Sequence, residues 1–168
     1  MSSIDHLNEQ EILENEKKVI SFLEDILTAP DNYTIKAYVR TGVAFQIKRT
    51  KLITHSFYVI SYTHEYHTLS FYGTKIAFYS EGAWIMDSDS DLLSYKLFLD
   101  GQNKWDAKEI IIETGIDTER TVRNILSKIN STITFYYRDH INNKAGMDNC
   151  NTALMETLVM APIAPDPD

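Results

Sequence analysis

Twelve of the chain's nineteen aromatic side chains fall within residues 33–84. The same stretch is rich in Thr, Val and Ile. Flat and β-branched side chains pack well on a pleated surface and lose rotamer freedom in a helix, so this segment reads as sheet. Alternation and turn residues divide it into strands at 34–40, 43–49, 52–62, 67–72, 75–80 and 83–86. Thr41-Gly42 breaks the first pair, and Gly73-Thr74 and Glu81-Gly82 are plausible two-residue turns. The expected product is a small antiparallel sheet.

A helix is expected before it. Ile12, Val19, Ile20, Leu23, Ile26 and Leu27 fall close to helical spacing, with Glu and Lys between them. Pro30 stops the pattern. This helix either braces the sheet or, through its acidic outer face, meets a partner or a second copy of the chain.

Charge divides the chain in the same places. The net −8 is −5 on residues 1–30, +3 on 31–86, −2 on 87–144 and −4 on 145–168. Lys36, Arg40, Lys48, Arg49 and Lys51 form a basic patch among the aromatics. Such a mixture suits single-stranded nucleic acid, although the solvent face of a half-buried sheet has the same composition. One cysteine, Cys150, excludes a disulfide framework within the chain and fits a reducing compartment. No signal-like or membrane-spanning apolar run is visible, so a cytoplasmic protein without membrane contact is expected.

Residues 92–99 read as a second helix, 105–113 as a third with Ile110, Ile111 and Ile112 on its buried side, and 118–129 as a fourth, capped by Asp117 or Thr118. Residues 131–137 have strand character. Lys108-Glu109-Ile110, Thr114-Gly115, Thr121-Val122 and Leu126 together resemble the helix-turn-helix of the winged-helix superfamily, over about residues 90–138. The resemblance implies a recognition helix over 118–129 and a wing at 133–138. It implies base or phosphate contacts from Thr118, Arg120, Thr121, Arg123, Asn124, Lys128 and Arg138, since Arg suits guanine and Asn suits adenine. The tail from residue 145 reads as a loop, a short helix over 152–160 and an irregular, proline-containing end.

Other constellations are weaker. His55, His64 and His67 invite a metal reading, but residues three apart on a strand face opposite ways. Asp87 to Asp91 lacks the glycine and distal glutamate of a calcium loop, and capping of the helix near Leu92 is the simpler role. Phosphate-binding, nucleophile-elbow and zincin motifs are absent, and the neighbours of Cys150 give no sign of activation. No cofactor, metal or enzymatic activity is expected.

The expected architecture is therefore α+β: an N-terminal helix with a small antiparallel sheet over residues 1–86, a winged-helix-like module over 87–144, and an acidic tail over 145–168. Two functions fit. One is DNA-associated regulation through the winged helix. The other is a non-enzymatic interaction module, such as an inhibitor or adaptor of phage or mobile-element origin, whose acidic surfaces bind a protein. A continuous positive stripe on the 118–129 helix favours the first; carboxylates lying over it favour the second. On the DNA reading, Arg123→Ala combined with Lys128→Ala weakens duplex binding and flattens its salt dependence in mobility-shift titrations at several salt concentrations.

Overall fold

Helix α1 (Glu9–Thr28) is the amphipathic helix expected ahead of the sheet. Glu16, Val19, Leu23 and Ile26 recur at three- and four-residue intervals and are all buried. A short 3-10 turn at Pro30–Asn32 ends it and feeds the sheet. The computed structural model describes residues 9–43, 52–72, 75–80, 91–102, 106–112, 115–139 and 150–162.

Four strands follow in chain order: β1 (Tyr33–Val43), β2 (Leu52–Tyr62), β3 (Glu65–Tyr72) and β4 (Lys75–Ser80). Helix α2 (Asp91–Leu99) comes next, then β5 (Asp106–Ile112), α3 (Thr118–Asp139) and α4 (Cys150–Thr157). All strand pairs are antiparallel, and the sheet order is β4-β3-β2-β1-β5.

The period of two along each strand sends alternate residues to opposite layers. Ile35, Ala37, Tyr58, Ile60, Leu69, Phe71, Ile76 and Phe78 face one side. There they pack with Val19, Leu23 and Ile26 of α1, Val122, Ile125 and Ile129 of α3, and Ala153 and Leu154 of α4. Tyr38, Phe57 and Val59 face the other side, against Tyr95 of α2, and Ala77 and Tyr79 pack there with Leu92. The sheet is thus sandwiched between α1, α3 and α4 on one face and α2 on the other.

Several sequence expectations hold, and several change. Strands 52–62 and 75–80 stand as read, and α2 lies where the second helix was expected. Thr41-Gly42 does not interrupt β1, which runs through to Val43 because both neighbouring strands pair with it there. The larger correction concerns residues 105–113. They were expected as the first helix of a helix-turn-helix, but 106–112 form the edge strand β5. Ile110, Ile111 and Ile112 take register positions opposite Val39, Tyr38 and Ala37. A β-branched triplet beside an unpaired strand edge gains more from the ladder than from a helix. A strand therefore stands where the helix before Gly115 was expected, and the sheet recruits its fifth strand from the segment expected to form a separate module.

The 131–137 stretch is also different. It continues α3 instead of forming a wing, so Arg138 lies in a helix. Asp117 starts α3 firmly, its Oδ1 accepting from the Arg120 N–H at 3.0 Å. From there to Asp139 no glycine or proline stops the helix. The rest of the expected strand at 43–49, and the strand at 83–86, lie outside the described residues. Among the described residues, no helix is long and apolar enough to cross a membrane.

One core position is costly. Glu16 sits in the buried stripe of α1 at 4% exposure. Desolvation raises its carboxyl from 4.5 to about 7. Between those values the folded chain holds a proton that the unfolded chain has released, so stability falls as pH rises through that window and levels off above it. Glu16→Gln should accordingly stabilise the protein increasingly from pH 4.5 to 7, by up to about 3 kcal/mol at pH 8, in urea melts repeated across pH.

Candidate active site

The β2–β3 ladder runs from Tyr62↔Glu65 to Tyr58↔Leu69 and stops there, although both strands continue. Beyond that point β3 stays paired with β4, and β2 with β1. The two strands part, and the gap joins the two faces of the sheet. His55 of β2, one of the residues outward toward the α2 layer, and Cys150, the first residue of α4 in the opposite layer, meet across it.

Their geometry is that of a nucleophile, a base and an orienting acid. Cys150 Sγ lies 3.3 Å from His55 Nδ1. His55 Nε2 lies 2.8 Å from Asp91 Oδ1. Ser70 Oγ donates to the other carboxylate oxygen, Asp91 Oδ2, at 2.9 Å. The imidazole therefore uses one nitrogen for the sulfur and the other for the carboxylate, and Ser70 fixes the carboxylate's rotation. The side chains of His55 and Asp91 are 18% and 8% exposed, so solvent screens this pair weakly.

Electrostatics follow from the arrangement. Burial alone would lower the His55 pKa. The charge and hydrogen bond of Asp91, with a smaller contribution from Cys150, outweigh burial and raise it to about 10. Burial alone would raise the Cys150 thiol. The hydrogen bond and charge of His55, with the backbone and side chain of Ser56, outweigh that and bring the thiol below its ordinary value. Both shifts favour a thiolate–imidazolium pair, and the two groups titrate as a unit.

Helical spacing aims the sulfur inward. Cys150, Ala153, Leu154 and Thr157 share one face of α4, and the last three are buried. Tyr58 of β2 pins the far end of that face. Thr157 Oγ1 donates to the Ala153 carbonyl at 2.8 Å, and the Tyr58 hydroxyl reaches Thr157 Oγ1 at 2.7 Å.

The residues expected to read DNA bases hold the same helix from its other side. Asn124 Nδ2 donates to the Thr157 carbonyl at 3.2 Å, and Lys128 Nζ reaches Glu156 Oε2 at 2.7 Å. Thr121 is buried and exchanges hydrogen bonds with Val159: the Val159 N–H donates to Thr121 Oγ1 at 3.1 Å, and that hydroxyl donates to the Val159 carbonyl at 3.4 Å. The Asp117 N–H donates to the same carbonyl at 2.8 Å. Ile116 and Met160 form a β-bridge. Gly115, at φ +81, adopts a backbone that favours glycine, and a Cβ there would come within 3.1 Å of the Met160 side chain. The helix expected over 152–160 thus ends at Thr157, and the chain just after it is strapped to the start of α3.

Of the remaining expected DNA contacts, Arg123 pairs with Glu119 at 2.9 Å and Arg120 with Asp117 at 3.6 Å. Thr118 is the first residue of α3, half-buried beside Asp117. Carboxylates lie over the expected positive stripe. In the basic patch, Lys36 lies on β1 and Arg40 stands opposite His55 in the β1–β2 register. Lys48, Arg49 and Lys51 lie outside the described residues. The three histidines separate: His55 joins Asp91, His67 bonds Ser80 at 2.6 Å, and His64 is exposed in the β2–β3 turn. Asp91 gives its carboxylate to His55 and Ser70, and the rest of the expected capping stretch, Asp87 to Ser90, lies outside the described residues. No group of metal-ligating side chains gathers among the described residues.

Sequence reasoning missed the triad because its members stand 36 and 95 residues apart, and local neighbours carry no trace of it. The one available signal was a sole cysteine placed just ahead of the helical pattern Ala153, Leu154, Thr157. No protein-family model, curated protein or solved structure matches the chain.

Replacing Thr121 by valine keeps its shape and orphans the Val159 N–H. Thr121→Val should lower the unfolding free energy by about 1–3 kcal/mol in denaturant titrations.

Proposed function

We propose that the chain is a cysteine-nucleophile enzyme of the acyl-transfer class. The observation that carries this reading is the continuous line Cys150–His55–Asp91, with Ser70 behind the carboxylate. It differs from the sequence expectation of a non-enzymatic protein. DNA-associated regulation is the competing reading; against it, Asn124 and Lys128 bond α4 and Thr121 bonds Val159 just after it.

In this mechanism the Cys150 thiolate attacks the carbonyl carbon of an ester, thioester or amide. The sulfur electron pair forms the C–S bond, and the carbonyl π pair moves to oxygen. The tetrahedral intermediate collapses, and the leaving oxygen, sulfur or nitrogen takes the proton from His55 Nδ1. The neutral imidazole then accepts a proton from water, or from an acceptor alcohol or amine, as that nucleophile attacks the thioester. Collapse returns the electron pair to sulfur and restores the thiolate–imidazolium pair. Asp91 keeps the ring oriented and stabilises its positive charge throughout, as the third member of such triads does.

With one cysteine in the chain, every thiol adduct reports on this site. The rate of Cys150 alkylation by iodoacetamide, followed by mass spectrometry against pH, should show a midpoint below the ordinary thiol value of 9.0. His55→Ala should move that midpoint up, and Asp91→Asn should move it part of the way. p-Nitrophenyl acetate should release a burst of p-nitrophenolate and leave acetyl-Cys150. A wild-type midpoint at or above 9.0, or no acetylation of Cys150, overturns the reading.

A further inference from the structure

One polar group at the site has no role in the triad. Ser56 of β2 is 1% exposed, and its Oγ has no hydrogen-bond partner of good geometry. Buried hydroxyls are nearly always satisfied, so an orphan one calls for a physical reason. An alanine would fit the same space without the penalty. Ser56 also lies beyond the last β2–β3 pair, Tyr58↔Leu69, where β2 has no neighbour on that side. By the alternation of β2 it points toward the α4 layer, opposite in sense to His55. Both its N–H and its hydroxyl lie beside the Cys150 sulfur.

We propose that the Ser56 hydroxyl is a catalytic donor that passes from the Cys150 sulfur to the substrate oxyanion as the C–S bond forms. The inference rests on the acyl-transfer reading above. In the resting site the negative charge is on sulfur. After attack the charge is on the former carbonyl oxygen, one bond beyond the carbon that sulfur has joined. A hydroxyl needs only rotation about its own side-chain bond to follow it. Backbone N–H groups stand at fixed positions, so Ser56 supplies the adjustable donor. A donor that makes no well-formed hydrogen bond in the resting site and makes one in the transition state contributes to rate and not to substrate affinity.

Two reactions of the same thiol separate this role from a packing role. Alkylation by iodoacetamide is a displacement at saturated carbon and makes no oxyanion. Acetylation by p-nitrophenyl acetate does. At a pH where the thiolate is fully formed, Ser56→Ala should change alkylation less than about threefold and slow the acetylation burst on the order of 100-fold. Ser56→Thr and Ser56→Val form a second comparison in which shape is matched and only the hydroxyl differs; Thr should acetylate on the order of 100-fold faster than Val. Equal slowing of both reactions, or acetylation unaffected by loss of the hydroxyl in either comparison, overturns the Ser56 assignment and leaves the triad standing. Wild-type protein that alkylates but never acetylates overturns the acyl-transfer reading, and this inference with it.

Discussion

The parting of β2 and β3 beyond Tyr58↔Leu69 is the constraint on which the rest of the site depends. A fully zipped ladder would separate the two faces of the sheet by a wall of backbone. His55 and Asp91 would then belong to one layer and Cys150 to the other. Because the ladder ends early, a residue from each layer reaches the same point, and strand groups that would otherwise bond each other become available to a thiol. What looks like an incomplete sheet is the condition for assembling the triad.

Holding that arrangement falls to groups well away from the sulfur. Tyr58 fixes the C-terminal end of α4 from the sheet, and Asn124 and Lys128 fix it from α3. The Thr121–Val159 exchange and the Ile116–Met160 bridge then tie down the chain that leaves α4. A helix of eight residues has little stability of its own. Its position, and hence the direction of the Cys150 side chain, comes from these tertiary bonds.

Much of the fold was legible in the sequence, and the reason is periodicity. The 52–62 and 75–80 strands and α1 each carry a repeat of one period bounded by turn residues or proline, and α2 is an apolar run closed by Asp100-Gly101. Where the local signal was ambiguous, tertiary context decided. Ile110, Ile111 and Ile112 satisfy a helix face and a strand equally on paper, and the open edge of β1 selected the strand. Residues 131–137 have strand-forming side chains but continue a helix that is already nucleated and meets no breaker. The site itself was hidden for another reason. Three side chains brought together from distant segments have no period and no fixed spacing, and Thr121, Asn124 and Lys128 display the same helical spacing whether they face a nucleic acid or another part of the chain.

The separations within the triad also set unequal loop-closure costs. His55 and Asp91 are 36 residues apart, whereas His55 and Cys150 are 95 apart, so the ring and the acid close the shorter loop. β2, β3 and β4 are joined by short turns and form through local contacts, while β5 and α4 must return from far along the chain. The thiol therefore closes the longest loop of the site, and the lowering of its pKa belongs to the conformation in which α4 is packed against β2.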